Sequence, residues 1–404
     1  MSGPLSGIRV LDLSRVLAGP SCTQMLGDLG ADIIKIERPG EGDDTRKWGP
    51  PYMKDADGND TTESAYYLSC NRNKRSAAID IAKPEGQALI HQLIAQCDIL
   101  IENFKVGGLK KYGLDYESVR ARHPHIIYAS ITGFGQYGPL AGEPGYDIMA
   151  QAAGGLMAVT GEPGGAPMKA GVALSDIMTG LHAAIGILAA LHKRKSTGKG
   201  EHVDVALLDC TLASLSNLAQ FYLTSGAVAA RRGNAHSTIV PYQAFEAADG
   251  WVIVAVGNDT QFARFARLLG HGEWADDERF ALNKNRVAHR DTLVPLIAAR
   301  VKEQSVAHWV KSLRDIGVPA GPVNRMDQVF AMAQVQARGM QIEMEHPLSP
   351  APIPLVGSPL KFAENPVSYR LPPPVCGAHT RDVLTELLNK TEKEIQALAK
   401  AGVI

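Results

Sequence analysis

Residues 8–40, with the sequence IRVLDLSRVLAGPSCTQMLGDLGADIIKIERPG, carry the clearest structural pattern in the chain. An apolar run at 8–13 predicts a β-strand, and the glycine-bounded segment at 19–29 predicts an α-helix. Residues 31–37 predict a second strand, which is ended by the turn signal Pro39-Gly40. A strand, a helix and a second strand in this order are typical of a βαβ unit, whose strands lie parallel in one sheet.

The alternation of strands and helices continues beyond this unit. Residues 76–81 are expected to be extended, and a helix is predicted at 84–96. Further strands are predicted at 98–102 and 126–131. The pattern therefore predicts an α/β fold with a Rossmann-like, doubly wound parallel sheet.

The spacing of apolar residues changes at Asp176, where they begin to recur at the helical period of about 3.6 residues. A strand at 202–207 and a long helix from about 209 to 222 are predicted to follow. The apolar stripe on the helix that begins near Asp176 comprises Ile177, Leu181, Ile185, Leu188 and Leu191.

The character of the sequence changes again near Arg231. Residues 251–256 predict a strand, three amphipathic helices are predicted up to Ile316, and extended structure returns at 317–322. A length of 404 residues favours more than one domain. We therefore expect a large domain at 1–227, a smaller α+β domain at 228–325, and a return to the large domain with a C-terminal wrap at 326–404.

Composition excludes several classes of protein. The 41 basic and 42 acidic residues leave a net charge of −1, which favours neither nucleic acid nor an anionic membrane as a partner. No uninterrupted apolar run reaches the roughly 18 residues of a membrane helix, and residues 1–7 lack the pattern of a secretory signal. Five cysteines without a C-x-x-C pair indicate neither a disulfide framework nor a metal site. We expect a cytoplasmic protein.

Common catalytic and nucleotide-binding motifs are also missing. The sequence has no G-x-x-x-x-G-K-[ST] phosphate loop, no H-E-x-x-H and no G-x-S-x-G. The first turn after a strand, residues 15–21, lacks the G-x-G-x-x-G that lets a backbone approach a pyrophosphate. A dinucleotide site is therefore not expected, despite the Rossmann-like pattern.

A set of short motifs in one order resembles the class III CoA-transferases, a family that is formyl-CoA transferase-like and also includes α-methylacyl-CoA racemases. The motifs span essentially the whole chain: Arg15-Val16-Leu17-Ala18-Gly19-Pro20, Ile34-Lys35-Ile36-Glu37-Arg38-Pro39-Gly40, Asn73-Lys74-Arg75-Ser76, Glu102-Asn103-Phe104, Gly145-Tyr146-Asp147, Ser175-Asp176 and Thr197-Gly198-Lys199-Gly200.

Within this family the chain is most similar to succinate–hydroxymethylglutarate (glutarate) CoA-transferases. The similarity lies in residues 233–245, in 343–347 and in the terminal 401–404. Formyl-CoA transferases have a run of glycines in place of 236–240 and a glutamine in place of Leu17. The resemblance implies that CoA moves from an acyl-CoA such as succinyl-CoA to a dicarboxylate such as glutarate, within an interlocked homodimer and without a metal or a permanently bound cofactor.

The resemblance also implies a role for Asp176 as the catalytic nucleophile. A carboxylate can attack a thioester to give a mixed anhydride, which divides a difficult exchange into easier steps. Spacing alone favours an aspartate that only caps the helix it precedes, and the resemblance reverses that preference.

The expected CoA site is a group of localised cations and polar residues, because CoA carries a pyrophosphate and a 3′-phosphate. Arg38 follows the second strand, where nucleosides bind in doubly wound folds. His236 and Tyr242 are candidates for orienting a substrate carboxylate. The residues expected to bind CoA, by the resemblance and by the basic run at 72–75, are Val16, Ala18, Arg38, Arg72, Lys74, Arg75, Asn103, Phe104 and Lys111.

Two alternatives remain open from the sequence. An α-methylacyl-CoA racemase would need a base on each side of the α-carbon. Racemases of this family carry a histidine where this chain has Tyr146, and glycines where Ile177-Met178-Thr179 follow Asp176. The second alternative is a non-catalytic CoA-binding protein, against which the presence of Asp176 argues.

Overall fold

A computed structural model describes residues 3–404; Met1 and Ser2, the start of the segment considered for a secretory signal, lie outside the described residues. The chain forms two compact units. One contains the residues up to 156 together with 169–226 and 334–404, and the other contains 157–168 and 227–333.

The first unit begins with a long α/β segment. Its strands are β1 (Arg9–Asp12), β2 (Asp32–Glu37), β3 (Tyr52–Lys54), β4 (Asp60–Ser64), β5 (Lys74–Ala78), β6 (Ile99–Glu102), β7 (Ile127–Thr132) and β8 (His202–Ala206). The helices of this segment are α1 (Ala18–Asp28), α2 (Ala65–Ser69), α3 (Pro84–Ile94), α4 (Tyr116–Arg122), α5 (Asp147–Ala153), α6 (Leu156–Val159), α7 (Leu174–Thr197), α8 (Leu207–Ser214) and α9 (Ser216–Ser225). All but the first residue of α6 belong to the second unit.

The second unit and the C-terminal segment complete the chain. The second unit contains β9 (Tyr242–Ala247), β10 (Gly250–Ala255), α10 (Asp259–Leu268), α11 (Asn283–Ala288), α12 (Arg290–Val301), α13 (Val306–Asp315), β11 (Ala320–Pro322) and α14 (Met326–Ala331). The chain then forms α15 (Ala333–Ala337), β12 (Gln341–Met344), β13 (Ile353–Val356), α16 (Thr380–Leu388) and α17 (Glu392–Lys400). Three short 3-10 helices lie at Asp44–Lys47, Lys110–Tyr112 and Gly272–Ala275.

The central sheet of the first unit is parallel throughout and has the strand order β5-β2-β1-β6-β7-β8. In terms of the six parallel strands this is the order 3-2-1-4-5-6 of doubly wound nucleotide-binding sheets. The expected α/β class and parallel sheet are confirmed. Strands β2 and β7 are buried at every position, because helices cover both faces of the sheet.

The second unit contains a three-stranded antiparallel sheet of order β11-β10-β9. Its core is a cluster of aromatic and aliphatic side chains that includes Phe262, Phe265 and Trp309. The region up to Ile316 contains four α-helices, so the predicted number of three was wrong. The extra element is α11, a helix of only six residues that a hydrophobic period does not mark.

The helix predicted from about 209 to 222 is also wrong, because two helices occupy this region. Ser216, the first residue of α9, has a φ of 44°, which lies in the left-handed region. A residue in that conformation ends the right-handed helix before it. No glycine or proline marks this break in the sequence.

Helix α7 packs its small residues against the rest of the unit. Its buried face includes Gly180, Ala183, Ala184 and Ala190. A Cβ atom added at Gly180 would lie 2.4 Å from Ser21 Oγ and 2.7 Å from the carbonyl oxygen of Ala18, so only glycine permits this approach to α1.

The large apolar stripe predicted on α7 lies mostly on the opposite side, in solvent. Ile177, Leu181, Ile185 and Leu188 are 38%, 45%, 65% and 37% exposed. By length and composition alone α7 could cross a membrane, a property that core helices of soluble proteins share. The stripe is therefore an apolar surface that the first unit itself leaves uncovered.

Candidate active site

A cleft of about 240 Å³ opens at the carboxyl ends of β1 and β6. The strand order reverses between these two strands, and ligands of doubly wound sheets bind at such a point. The turn after β1 forms one wall, the loop after β6 forms another, and the start of α7 contributes Asp176. Among the predicted site residues, the cleft brings together Val16, Ala18, Asn103, Phe104 and Asp176.

A second cleft, of about 440 Å³, lies beside the first and shares Arg15, Asp44 and Phe104 with it. Arg38 lines this second cleft, and its guanidinium contacts the exposed Glu41 carboxylate at 3.1 Å. The Arg15 guanidinium lies between Asp44, at 3.0 Å, and the ring of Phe104, at 5.2 Å from the ring centroid. Together the clefts provide an elongated path from the end of β2 to Asp176.

Asp176 is the third residue of α7, so it lies in the first turn of the helix rather than at the capping position. Only 9% of the residue is exposed. Burial, and secondly the negative charge of Asp147, raise the pKa of Asp176 from 3.8 to about 7. A carboxyl group with such a pKa is more basic, and as an anion more nucleophilic, than an ordinary aspartate.

Asp147 occupies the place that a cap would take at the start of α7. Its Oδ1 accepts hydrogen bonds from the backbone N–H groups of Ser175, at 2.8 Å, and Asp176, at 3.3 Å. Its Oδ2 accepts from Gln151 Nε2 at 2.7 Å. In the sequence Asp147 stands out only as part of the motif Gly145-Tyr146-Asp147, which assigns it no role. An acidic residue that follows Gly145-Tyr146 at a helix start was the available signal.

Two glycines allow two loops in the wall of the cleft to approach each other closely near Asp147. A Cβ at Gly133 would lie 2.5 Å from Gly145 Cα, and one at Gly145 would lie 2.2 Å from Gly133 Cα. The backbones of the loop after β7 and the loop before α5 therefore touch. Both glycines line the cleft that contains Asp176.

The basic run that was expected to face the CoA phosphates is occupied by internal contacts. Arg72 is buried and donates two hydrogen bonds to Asp28, at 2.9 and 2.6 Å. Lys74 is fully buried, and its ammonium contacts Asn71, the carbonyl of Pro20 and Asp12. Arg75 pairs with Asp32 and Glu386. None of the three lines either cleft.

The remaining predicted residues lie elsewhere. Lys111 is exposed, and its ammonium lies 4.7 Å from the ring centroid of Tyr112, a residue of the second cleft. His236 and Tyr242 belong to the second unit, where their rings are 5.2 Å apart and the His236 N–H donates to the carbonyl oxygen of Tyr242. Their role in orienting a carboxylate stays a prediction.

No group of three or more His, Cys, Asp or Glu side chains within residues 3–404 is arranged to hold a metal ion. The five cysteines are free thiols. The chemistry available in the cleft is that of a buried carboxyl group at a helix N-terminus.

Comparison with known proteins gives matches over nearly the full chain. Residues 5–380 match CoA-transferase family III. The chain is 49% identical to a succinate–glutarate CoA-transferase from Agrobacterium fabrum, over 95% of this chain and 96% of the relative. It is 44% identical to the human succinyl-CoA:glutarate CoA-transferase, over 99% of this chain and 90% of the relative. Among solved structures, a CAIB/BAIF family protein from Brucella suis has 48% identity and a TM-score of 0.87, covering 96% of this chain and all of that one.

The raised pKa of Asp176 predicts a pH-dependent loss of stability. Because the folded pKa exceeds the unfolded value of 3.8, the folded state keeps a proton that the unfolded state has lost, and stability falls as pH rises from about 4 to about 7. Asp176→Asn should therefore raise the free energy of unfolding at pH 8 by on the order of 4 kcal/mol. This gain should shrink steadily toward pH 4. Urea unfolding across that pH range measures it.

Asp57→Asn, at an exposed loop position, is the matched control and should change stability little at any pH. A gain for Asp176→Asn that is the same at pH 4 and pH 8 would contradict the assigned pKa.

Proposed function

Since the chain belongs to CoA-transferase family III, we propose that it transfers coenzyme A from succinyl-CoA to glutarate. The chain is a CoA-transferase, and therefore an enzyme with an acyl-CoA substrate. The observation that carries the choice of acids is the identity of 44–49% with three succinate- or succinyl-CoA-dependent glutarate CoA-transferases over nearly the full chain. No described feature favours the racemase or the non-catalytic alternative.

The proposed cycle uses Asp176 as the nucleophile. Its carboxylate attacks the thioester carbonyl of succinyl-CoA, and CoA leaves as a thiolate, which gives a mixed anhydride. The thiolate then attacks the aspartyl carbonyl, which releases succinate and leaves an aspartyl-CoA thioester. Glutarate attacks this thioester and expels the thiolate again. The thiolate finally attacks the glutaryl carbonyl, which forms glutaryl-CoA and restores the Asp176 carboxylate.

The arrangement of the two clefts supports a direction for the bound CoA. We propose that the nucleotide end lies in the second cleft beside Arg38, and that the thioester end reaches Asp176 past Val16, Ala18, Asn103 and Phe104. Lys111, at the edge of the second cleft, is proposed to add a further positive charge. We assign Arg72, Lys74 and Arg75 to the stability of the first unit, because their donors are already engaged.

His236 and Tyr242 are proposed to orient the distal carboxylate of the acceptor. Both lie in a polar segment that replaces the glycine run of formyl-CoA transferases. An imidazole and a phenol can each donate a hydrogen bond to a carboxylate. An acid without the distal group would leave such donors unpaired, which favours dicarboxylates.

The function is tested with radiolabelled glutarate, succinyl-CoA and the purified protein. The wild type should form labelled glutaryl-CoA, and Asp176→Ala should lower the rate by several orders of magnitude because the covalent route is lost. CoA binding, measured by calorimetry, should remain, since Asp176 holds no phosphate. Hydroxylamine should inactivate the wild type only when acyl-CoA is present. Absence of labelled product with wild-type protein, or turnover by Asp176→Ala at the wild-type rate, would refute the proposal.

Arg38 provides a separate test of the CoA site. Arg38→Ala should raise the KM for succinyl-CoA by about tenfold or more, the scale of one charge-assisted hydrogen bond, with little change in kcat. The matched control is Arg9→Ala, because Arg9 also pairs with a carboxylate, that of Asp32, but lines neither cleft. Steady-state kinetics separate the two. If Arg38→Ala and Arg9→Ala changed the KM for succinyl-CoA equally, Arg38 would belong to a solvated surface rather than to the CoA site.

The exposed stripe of α7 supports the proposal of a homodimer. Exposed apolar patches of this kind mark association surfaces, and closed two-fold dimers are the commonest homo-oligomers. We propose that a second copy of the chain covers the stripe, in the interlocked arrangement that the family resemblance implies. Ile185→Glu should shift the species measured by light scattering toward monomer, whereas Leu296→Glu, which changes another exposed apolar residue, on α12, should not. A wild-type monomer at micromolar concentration would contradict this proposal.

A further inference from the structure

The backbone of Ser14-Arg15-Val16, the turn that joins β1 to α1, is held almost entirely by side chains. Each of its three N–H groups and three carbonyl groups contacts one. The Ser14 N–H donates to Asp12 (2.9 Å), and the Ser14 carbonyl accepts from Lys35 (2.9 Å). The Arg15 N–H donates to the side-chain amide of Asn103 (2.9 Å), and the Arg15 carbonyl accepts from the same amide (2.7 Å). The Val16 N–H donates to Asp43 (3.3 Å), and the Val16 carbonyl accepts from the Cys70 thiol (3.7 Å).

This turn contains a strained residue. Val16 has a φ of 73°, in the left-handed region, where a β-branched side chain is an outlier. Such a conformation persists only when its surroundings over-determine it, and it is concentrated at functional sites. Val16 lines the cleft that contains Asp176. The strain therefore lies in the wall of the proposed acyl-CoA site.

Asp43 is the group that holds the strained residue. Its Oδ1 accepts from the Val16 N–H and from both the N–H and the hydroxyl of Thr45. Its Oδ2 accepts from the Lys35 ammonium at 2.8 Å, and both side chains are fully buried. Burial alone would raise the pKa of Asp43, but Lys35 and the Thr45 donors lower it to about 2, so the carboxylate stays charged.

Lys35 contacts one end of the same turn directly and is linked to the other end through Asp43. One ammonium bridges the Ser14 carbonyl oxygen and the Asp43 carboxylate. It therefore fixes the carboxylate relative to the strand end from which the turn departs. We propose that Asp43, oriented by Lys35, is a positioning residue that holds Val16 in its left-handed conformation. Asp43 thereby shapes the wall against which acyl-CoA binds, an inference that rests on the proposed function.

The isosteric change Asp43→Asn tests this assignment. The buried Lys35 ammonium needs an acceptor, so the amide oxygen should turn toward Lys35 and present its NH₂ group to the Val16 N–H. The turn then loses its acceptor while the volume is kept. We expect the dissociation constant of coenzyme A, measured by calorimetry, to rise by about tenfold or more, the scale of a hydrogen bond to a charged acceptor.

A second substitution separates positioning from general destabilisation. Glycine adopts the left-handed conformation without steric cost, so it needs no acceptor to stay there. In a Val16→Gly background, Asp43→Asn should change the dissociation constant of coenzyme A by no more than about twofold. Val16→Gly alone should have a Tm no lower than that of the wild type, because relief of strain offsets the added chain entropy.

The matched control is Glu63→Gln, which alters another buried ion pair, with Arg46, that does not touch the turn. It should lower the Tm but leave coenzyme A binding and the KM for succinyl-CoA unchanged. The inference would be overturned if Asp43→Asn weakened coenzyme A binding equally with valine and with glycine at position 16. A clear loss of Tm in Val16→Gly, which remains measurable even if Asp43→Asn does not fold, would also overturn it. Coenzyme A binding also reports on the turn if no transfer to glutarate occurs, so failure of the proposed function is recognised separately.

Discussion

The need to neutralise two buried ammonium groups organises the carboxyl end of the central sheet. Lys35 of β2 and Lys74 of β5 have no exposed surface. A buried charge is tolerated only when it is paired and its donors are satisfied. Asp43 pairs with Lys35 at 2.8 Å, and Asp12 faces Lys74 at 3.4 Å. These carboxylates then bind the backbone of the turn after β1, so neutralisation of the sheet interior also fixes the geometry of the cleft.

A second buried ion cluster attaches the C-terminal segment to the same unit. Arg46 pairs with Glu37 at 2.8 Å and with Glu63, and it also donates to the carbonyl oxygen of Pro374. The Tyr67 hydroxyl donates to that carbonyl too. In the proline-rich segment Pro373 and Pro374 are buried, and prolines have no N–H group to donate. The backbone carbonyl of Pro374 instead supplies the acceptor that a buried arginine and a buried tyrosine both require.

The alternation of strands and helices was sufficient to predict the parallel sheet, and the position of Asp176 ahead of an apolar helix was sufficient to place it near a helix start. The sequence could not predict that Arg72 and Lys74 are internal, because a basic run looks the same whether its partners are phosphates or distant acids such as Asp28 and Asp12. It likewise could not predict which face of α7 is buried. Side-chain size determines which face is buried, because the close approach of α1 at Gly180 favours the face with small residues over the face with large apolar residues.

Asp147 affects both the N-terminus of α7 and the ionisation of Asp176. By accepting the first free N–H groups of α7, it satisfies donors that would otherwise attract negative charge to the helix N-terminus. Its own charge acts on Asp176 in the same direction as burial, against ionisation. Both effects make the Asp176 carboxylate more basic than an exposed aspartate. The fold thus loses free energy by keeping this group buried near a second acid, and the same arrangement makes the Asp176 anion more nucleophilic.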